Sequence, residues 1–340
     1  MKKGEDIMEA VRLLESGRLV AFPTETVYGL GGDAENPSAI AAIYALKGRP
    51  ANHPLIVHVA QGSNIAYWSG PVSREAEKLI DTFWPGPLTL VLKRAPHVPP
   101  EVAGGQDSIG LRCPSHPVAQ ALLNAFHRGK GGVAAPSANR FGRVSPTMAQ
   151  HVREEFDGDP RLGLILDGGQ SEVGIESTIV DLSRLETTGP VLLRPGKISA
   201  VQIADVIGRL PSAPDAAAPR ASGTLASHYA PQTPVVIVPT GEVLSTLIRL
   251  EAAKRRVALL RYSPFASERA PRVTTETALS ANADVYSHQL YAALRRLDRV
   301  GADVIVVEAT PDGEAWRGVN DRLKRAACKG QSMLGLLVKA

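Results

Sequence analysis

Eight short, apolar, β-rich runs crowded into the first 194 residues constrain the fold of this chain more than any other feature. They are LVAF (19–22), PLIVHV (54–59), LTLVL (88–92), SIGLR (108–112), GVAA (132–135), LGLIL (162–166), TIVDL (178–182) and VLLR (191–194). Helical patterns fall around 5–16, 37–46, 72–83 and 115–127. Some runs lie a turn apart and others a helix apart, which predicts an α/β fold with an open sheet of mixed strand direction. From about Gly208 to Pro234 the sequence becomes rich in Pro, Ala and Ser, the composition of an interdomain linker. Beyond it VVIV (235–238), VALL (257–260) and DVIVVE (303–308) sit among helical patterns at 241–254 and 287–299, a small parallel α/β arrangement. The expected division is therefore 1–207 for a first domain, 208–233 for the linker and 234–340 for a second domain.

A length of 340 residues suits about two domains, and 44% apolar content excludes a disordered chain. The net charge of +4 fits anionic small molecules or RNA without demanding either. Two cysteines, Cys113 and Cys328, are too few and too far apart in sequence for a disulfide framework or a zinc site, so a reducing compartment, the cytoplasm, is expected. Glu5 and Asp6 stand where a secretory leader would be apolar, and no apolar run approaches the length of a membrane span.

Two stretches hold polar pairs at i, i+2: KGRPANHPL (47–55), with Lys47 and Arg49, and APSANRFGRVS (135–145), with Ser137 and Asn139. In extended backbone such pairs point to one side, so each motif would offer converging groups. Gly48 and Pro50 stop any helix that runs up from Ala39, which puts the two cations at an element's end. Two held cations suggest a polyphosphate. An isolated K-x-R reads better as a helix C-terminal lysine beside a solvated arginine; the second motif shifts the balance toward a ligand.

PTETVYGLG (23–31) follows an apolar strand and carries Thr24, Thr26 and Tyr28 in alternation before a glycine turn, which suits a small polar ligand or, equally, an edge strand. Gly29, Gly31 and Ala34 match G-x-G-x-x-A loosely, but no acid lies about 20 residues on and Pro37 delays the helix. RGKGG (128–132) lacks the ending of a phosphate-binding Walker loop and reads as a turn. Asp167, before two glycines, is either a magnesium ligand or a turn cap. Ser177 and Thr178 open a strand, and Arg112 and Arg194 close two others, where α/β sheets tend to meet ligands and where a guanidinium matches a carboxylate or phosphate. The eight histidines show no zinc spacing, His53 and His58 read as neutral imidazoles, and no G-x-S-x-G elbow marks a serine hydrolase.

PTETVYGLG, KGRP followed by HPLIVH, WPGPLTLVL, APSAN, VGIESTIVD, LLRPG and HYAP occur in one order. Together they resemble the YrdC-like threonylcarbamoyl-AMP synthases of the long form, closely over about 5–232 and more loosely beyond. The resemblance implies a YrdC-like twisted open mixed sheet with helices, a small C-terminal Rossmann-like α/β domain, and a linker serving as a lid. It implies that L-threonine, bicarbonate and ATP are condensed to threonylcarbamoyl-AMP with release of pyrophosphate, for later transfer to the adenosine beside the anticodon of tRNA. Magnesium would accompany ATP and no organic cofactor is expected. Downstream threonylcarbamoyl-transfer proteins would be partners, with room for weak contact with RNA and none with a membrane.

The same resemblance assigns Lys47, Arg49, Ser137 and Asn139 to the reacting phosphates and carbamate. Thr26, His58, Arg112 and Ser177 would hold threonine, with Arg112 on its carboxylate. Arg49, His53, Ser108, Ser137, Ser145, Arg194 and Tyr229 would contact ATP. The chain departs from the pattern at ASGTLASHYAP, where Leu225, Ala226 and Ser227 replace the cationic and aromatic groups of a stretch resembling SPGMRYKHYAP, while Tyr229 is retained. Two other readings compete with it: a double-stranded RNA-binding, translation-regulating YrdC-type module, against which stand scattered basic residues and only 5% aromatics, and the YrdC-like segment of a hydrogenase-maturation carbamoyltransferase, which would carry zinc-finger cysteines.

Overall fold

The computed structural model describes residues 3–156, 158–264 and 271–337. The chain divides into two compact units, Met1–Phe141 with Ser145–Thr224, and Gly142–Val144 with Leu225–Ala340. The stretch 208–233, read as linker, is thus shared between them.

Among the described residues the first unit has nine strands: β1 Leu19–Phe22, β2 Gly29–Asp33, β3 Ile56–Val59, β4 Leu88–Lys93, β5 Ser108–Arg112, β6 Gly132–Ala134, β7 Leu162–Ile165, β8 Thr178–Asp181 and β9 Val191–Arg194. They form one sheet in the order β7-β1-β2-β6-β3-β5-β4-β8-β9. The pairs β1/β7, β3/β5 and β4/β8 are parallel and the other five antiparallel, the mixed direction expected from the spacing. The strand β2 corrects the expected glycine turn. A Cβ at Gly31 would lie 2.8 Å from both Phe22 and Val133, so only glycine lets this strand pass between β1 and β6.

Pro37 does not delay the next helix but opens it: Pro37–Lys47 has proline in its first turn and Asn36 as N-cap, accepting from the backbone N–H of Ser38 and Ala39. Gly48, at φ 62°, ends it in the left-handed region that favours glycine.

Because side chains alternate across a strand, the sheet has two distinct faces. On one, Leu19, Ala21, Leu30, Val57, Leu90, Leu111 and Val180 join a core that includes Ile40 and Ile43 of the helix Pro37–Lys47, Leu79 of Arg74–Phe83 and Ile203 of Ala200–Ile207. Burying each such side chain contributes roughly 1.5–3 kcal/mol. On the other face, Val20, Phe22, Val133 and Ala135 pack against the helices Lys3–Glu15 and Pro117–Ala125 through Ala10, Leu14, Ala119 and Leu122. That cover stops at β6. The half of this face built by β3, β5, β4, β8 and β9 carries instead a small apolar cluster of Val91, Ile179, Val191 and Leu193 with Ala221, with Ile56 and Ala218 beside it.

The second unit has β10 Val235–Val238, β11 Val257–Arg261, β12 Thr275–Ala278 and β13 Val304–Glu308 in the order β10-β13-β11-β12, all parallel, as expected of a small parallel α/β arrangement. Helices Val243–Ala252, Ala283–Asp298 and Arg317–Ala327 accompany it. Within this unit Tyr229 is buried at φ 58°, with the Arg322 guanidinium 5.3 Å from its ring centre and Tyr291 stacked at 5.9 Å. No helix among the described residues is long and apolar enough to cross a membrane.

Candidate active site

Strand register gathers the site on the half-face whose apolar cluster, among the described residues, draws on no helix. His58 on β3 sits opposite Arg112 on β5. Leu90 of β4 faces Leu111, which brings Thr89 level with Arg112. Thr89 pairs with Ile179 of β8, and Ile179 with Arg194 of β9. Ser108 and Gly110 share the face of Arg112 by alternation along β5. Five neighbouring strands thereby bring two arginines, an imidazole and hydroxyls to one surface.

Of the residues expected to hold threonine, His58, Arg112 and Ser177 are buried there, and Thr26 is buried in the loop after β1. Arg112 is 4% exposed and donates from Nε to the carbonyl of Gly86 at 3.3 Å. Its Nη2 lies 2.7 Å from Oε1 of Glu25, a carboxylate itself 3% exposed. His58 is buried beside it, and its pKa is pushed down to about 3, mainly by burial and then by the Arg112 charge. The imidazole is therefore neutral. Ser177 Oγ meets Thr89 Oγ1 at 2.7 Å, and Thr26 Oγ1 meets Thr24 Oγ1 at 2.9 Å. Thr24 also donates to the carbonyl of Val27, so these hydroxyls build a tight loop at the end of β1 and not an edge strand.

The expected phosphate groups form a second cluster. Lys47 is 3% exposed, and its Nζ donates to the carbonyls of Ser137 and Asn139. The extended i, i+2 arrangement read for Lys47 and Arg49 is corrected: Lys47 closes a helix and Gly48 turns the chain sharply. Nor is the second pair extended, because the Asn139 N–H donates back to the Ser137 carbonyl at 2.9 Å. Asn139 is buried while Ser137 is partly exposed, and the Asn139 amide donates to the Arg140 carbonyl at 2.7 Å. Burial, and then the neighbouring Arg49 charge, hold the Lys47 ammonium well below the usual lysine range. An arriving anion would reverse that penalty.

Arg49 donates from Nη2 to the carbonyl of Pro54 at 2.8 Å and to Ser222 Oγ at 3.0 Å. Arg194 donates to the Ser177 carbonyl from Nε at 3.0 Å and from Nη2 at 2.9 Å, and from Nη1 to the Ser222 carbonyl at 2.7 Å. Ser222 thus touches both arginines with oxygen atoms. A narrow cleft lined by Pro54, Ile56, Thr89, Ser108, Arg220 and Ser222 runs beneath it. His53 stands edge-on to Phe141 at 5.4 Å, and burial with the Arg49 and Arg220 charges lowers its pKa. Ser145 Oγ donates to the buried Glu176, the residue before Ser177. Tyr229 lies in the second unit.

Four contributors escaped the sequence reading. Glu25 stood in view between two threonines, and Thr89 was the one hydroxyl in an apolar strand. Glu176 precedes the singled-out Ser177, while Ser222 carried no signal at all. Asp167 resolves as a turn cap, its Oδ1 accepting from the Gly169 N–H at 3.1 Å.

Comparison with known proteins places the fold and the motifs in one family. The family model Sua5_yciO_yrdC, described as telomere recombination, matches residues 12–196, and Sua5_C, the threonylcarbamoyl-AMP synthase C-terminal domain, matches 198–328. A threonylcarbamoyl-AMP synthase of Pyrococcus abyssi is 37% identical over 94% of this chain and 93% of its own length. One of Bacillus subtilis is 38% identical over 94% of this chain and 92% of its own. The crystal structure of P. abyssi Sua5 complexed with L-threonine, 34% identical, superimposes with a TM-score of 0.84 over 95% of this chain and 94% of that one. With motifs, fold and near-complete coverage in agreement, the chain belongs to the Sua5 family of threonylcarbamoyl-AMP synthases.

Proposed function

We infer that this chain is an L-threonylcarbamoyladenylate synthase that joins L-threonine, bicarbonate and ATP and releases pyrophosphate. The observation that carries the reading is the buried row on this half-face, where His58 and Arg112 lie level with Arg194, Arg194 holds Ser177, and Ser222 brings Arg49 beside it. No nucleophilic side chain is needed. The threonine amine takes up bicarbonate as a carbamate with loss of water, and a carbamate oxygen then attacks the α-phosphorus while pyrophosphate leaves. Catalysis of this kind rests on positioning and on charge met by fixed donors.

In this scheme Arg112 receives the threonine carboxylate, and Ser177, Thr26 and neutral His58 complete its pocket. Arg49, Arg194, Ser108, Ser137 and Ser145, with His53 at the rim, receive ATP. An arriving anion would favour the charged form of Lys47, and Asn139 holds the loop that Lys47 grips. The Ser222 hydroxyl and carbonyl occupy donors of Arg49 and Arg194 that phosphate oxygens would take. Magnesium would come with ATP and offset phosphate charge; among the described residues no group of three or more His, Cys, Asp or Glu side chains is gathered for a metal. The product serves threonylcarbamoyl transfer to tRNA through further proteins, work that belongs to the cytoplasm.

The test is incubation of the purified chain with ATP, bicarbonate and either threonine or alanine. Pyrophosphate release that needs threonine supports the assignment. ATP turnover indifferent to the amino acid, or none at all, overturns it.

A further inference from the structure

The assignment of Arg112 to the substrate carboxylate leaves one observation without a role: the site already holds a carboxylate of its own. Glu25 is 3% exposed, at the closed end of the loop after β1. Its Oε1 lies 2.7 Å from Arg112 Nη2, and its Oε2 accepts from the Ser115 N–H at 3.1 Å. Its backbone carbonyl accepts from Val173 at 2.7 Å. One residue therefore ties the end of β1, the segment after β5 and the loop before β8.

The geometry of the ion pair is informative. Nη2 touches Oε1 but makes no hydrogen bond to it or to any other described residue, and the one hydrogen bond found for this guanidinium runs from Nε to Gly86. A guanidinium satisfied by a buried acid would form the bidentate pair its planar fork favours. Here the acid is close enough to cancel charge and misaligned enough to leave N–H donors for a second carboxylate. Burying Arg112 with no counter-charge would cost several kcal/mol, and leaving it mobile would waste its orientation.

We propose that Glu25 is the positioning residue of the threonine subsite: it is the counter-ion that keeps Arg112 buried and oriented while leaving its free edge to the substrate carboxylate. This rests on the synthase reading of the site. Glu25 acts through Arg112 and touches neither substrate nor phosphate.

A double-mutant cycle reads the claim directly. Pyrophosphate release is measured for wild type, Glu25→Gln, Arg112→Met and the double variant, giving KM for threonine and for ATP. Glutamine keeps the shape of Glu25 and removes its charge. The expected result is a rise of about tenfold in threonine KM for Glu25→Gln, the size of one lost charge-assisted contact, with ATP KM within about twofold of wild type. In the Arg112→Met background, adding Glu25→Gln should change threonine KM by less than about twofold, since there is no guanidinium left to position.

Three outcomes overturn the inference: threonine KM unchanged in Glu25→Gln, threonine and ATP KM rising together, or the two substitutions multiplying in the double variant. If Glu25→Gln proves too unstable to assay, melting temperatures decide. The double variant, freed of an uncompensated buried charge, should melt above Glu25→Gln alone, and a double variant that melts lower refutes the coupling. A wild-type protein without threonine-dependent turnover fells the parent reading and this inference with it. An active wild type in which Arg112→Met raises threonine KM and Glu25→Gln does not fells this inference alone.

Discussion

The buried imidazole of His58 makes a quantitative claim about pH. Its pKa falls from the ordinary 6.5 to about 3 because burial, and then the Arg112 charge, penalise the protonated ring. The unfolded chain titrates this ring normally, so below pH 6.5 the unfolded state binds a proton that the folded state refuses. The stabilisation is therefore complete above 6.5 and is lost as pH falls toward about 3. Each unit is worth about 1.36 kcal/mol, so between pH 6.5 and about pH 4.5 this one side chain removes about 2–3 kcal/mol. His58→Gln deletes the titration and keeps a polar side chain of similar reach.

The assay is urea unfolding of both proteins across that range, followed by a probe in the first unit because two units need not unfold as one. The variant begins less stable at neutral pH, and its deficit should shrink by about 2–3 kcal/mol on acidification. Parallel pH curves for the two proteins would show that the ring titrates as if exposed, and the picture of a neutral threonine pocket would fall.

Other expectations follow from single contacts. Lys47→Ala or Arg49→Ala should lower kcat/KM by roughly 100- to 1000-fold with the fold retained, as for the loss of other preorganised charge partners; an active folded variant contradicts the roles assigned. Lys47 also has a stability signature. Its depressed pKa means that the unfolded chain binds the extra proton as pH rises toward the ordinary 10.5, so wild-type stability should gain over Lys47→Met in alkaline solution, read by denaturant midpoints. Gly31→Ala forces a methyl group to 2.8 Å from Phe22 and Val133, and should cost about 1–3 kcal/mol, visible as a lowered melting temperature. Thr89→Val removes one of the two partners of Ser177 Oγ, the other being Arg194 Nη2, for about 1 kcal/mol of stability and a raised threonine KM.

The strands legible in the sequence were those whose apolar residues announce burial. VLLR and SIGLR became β9 and β5 without change of boundary. Strand β2 was invisible because GLGGD owes its place to the lack of side chains, and local pattern cannot report how near Phe22 and Val133 come. Likewise TETA of β12 reads as polar because its strand buries only Thr277. Of the site, the cations and hydroxyls were readable as motifs, but their relation was not. Arg112 read as a carboxylate or phosphate ligand or as a structural arginine, and its partner Glu25 was hidden because the pairing spans some 87 residues and exists only after the sheet has formed. Ser222 was hidden for the same reason, its oxygens meeting Arg49 and Arg194 from a stretch that reads as linker.

The most direct test of the account is a crystal structure of the chain with L-threonine and a non-hydrolysable ATP analogue. The account requires the threonine carboxylate on the free edge of Arg112, beside His58 and Ser177, and phosphate oxygens in place of Ser222 on Arg49 and Arg194. Threonine bound away from Arg112, or a nucleotide that leaves both arginines on Ser222, would contradict it.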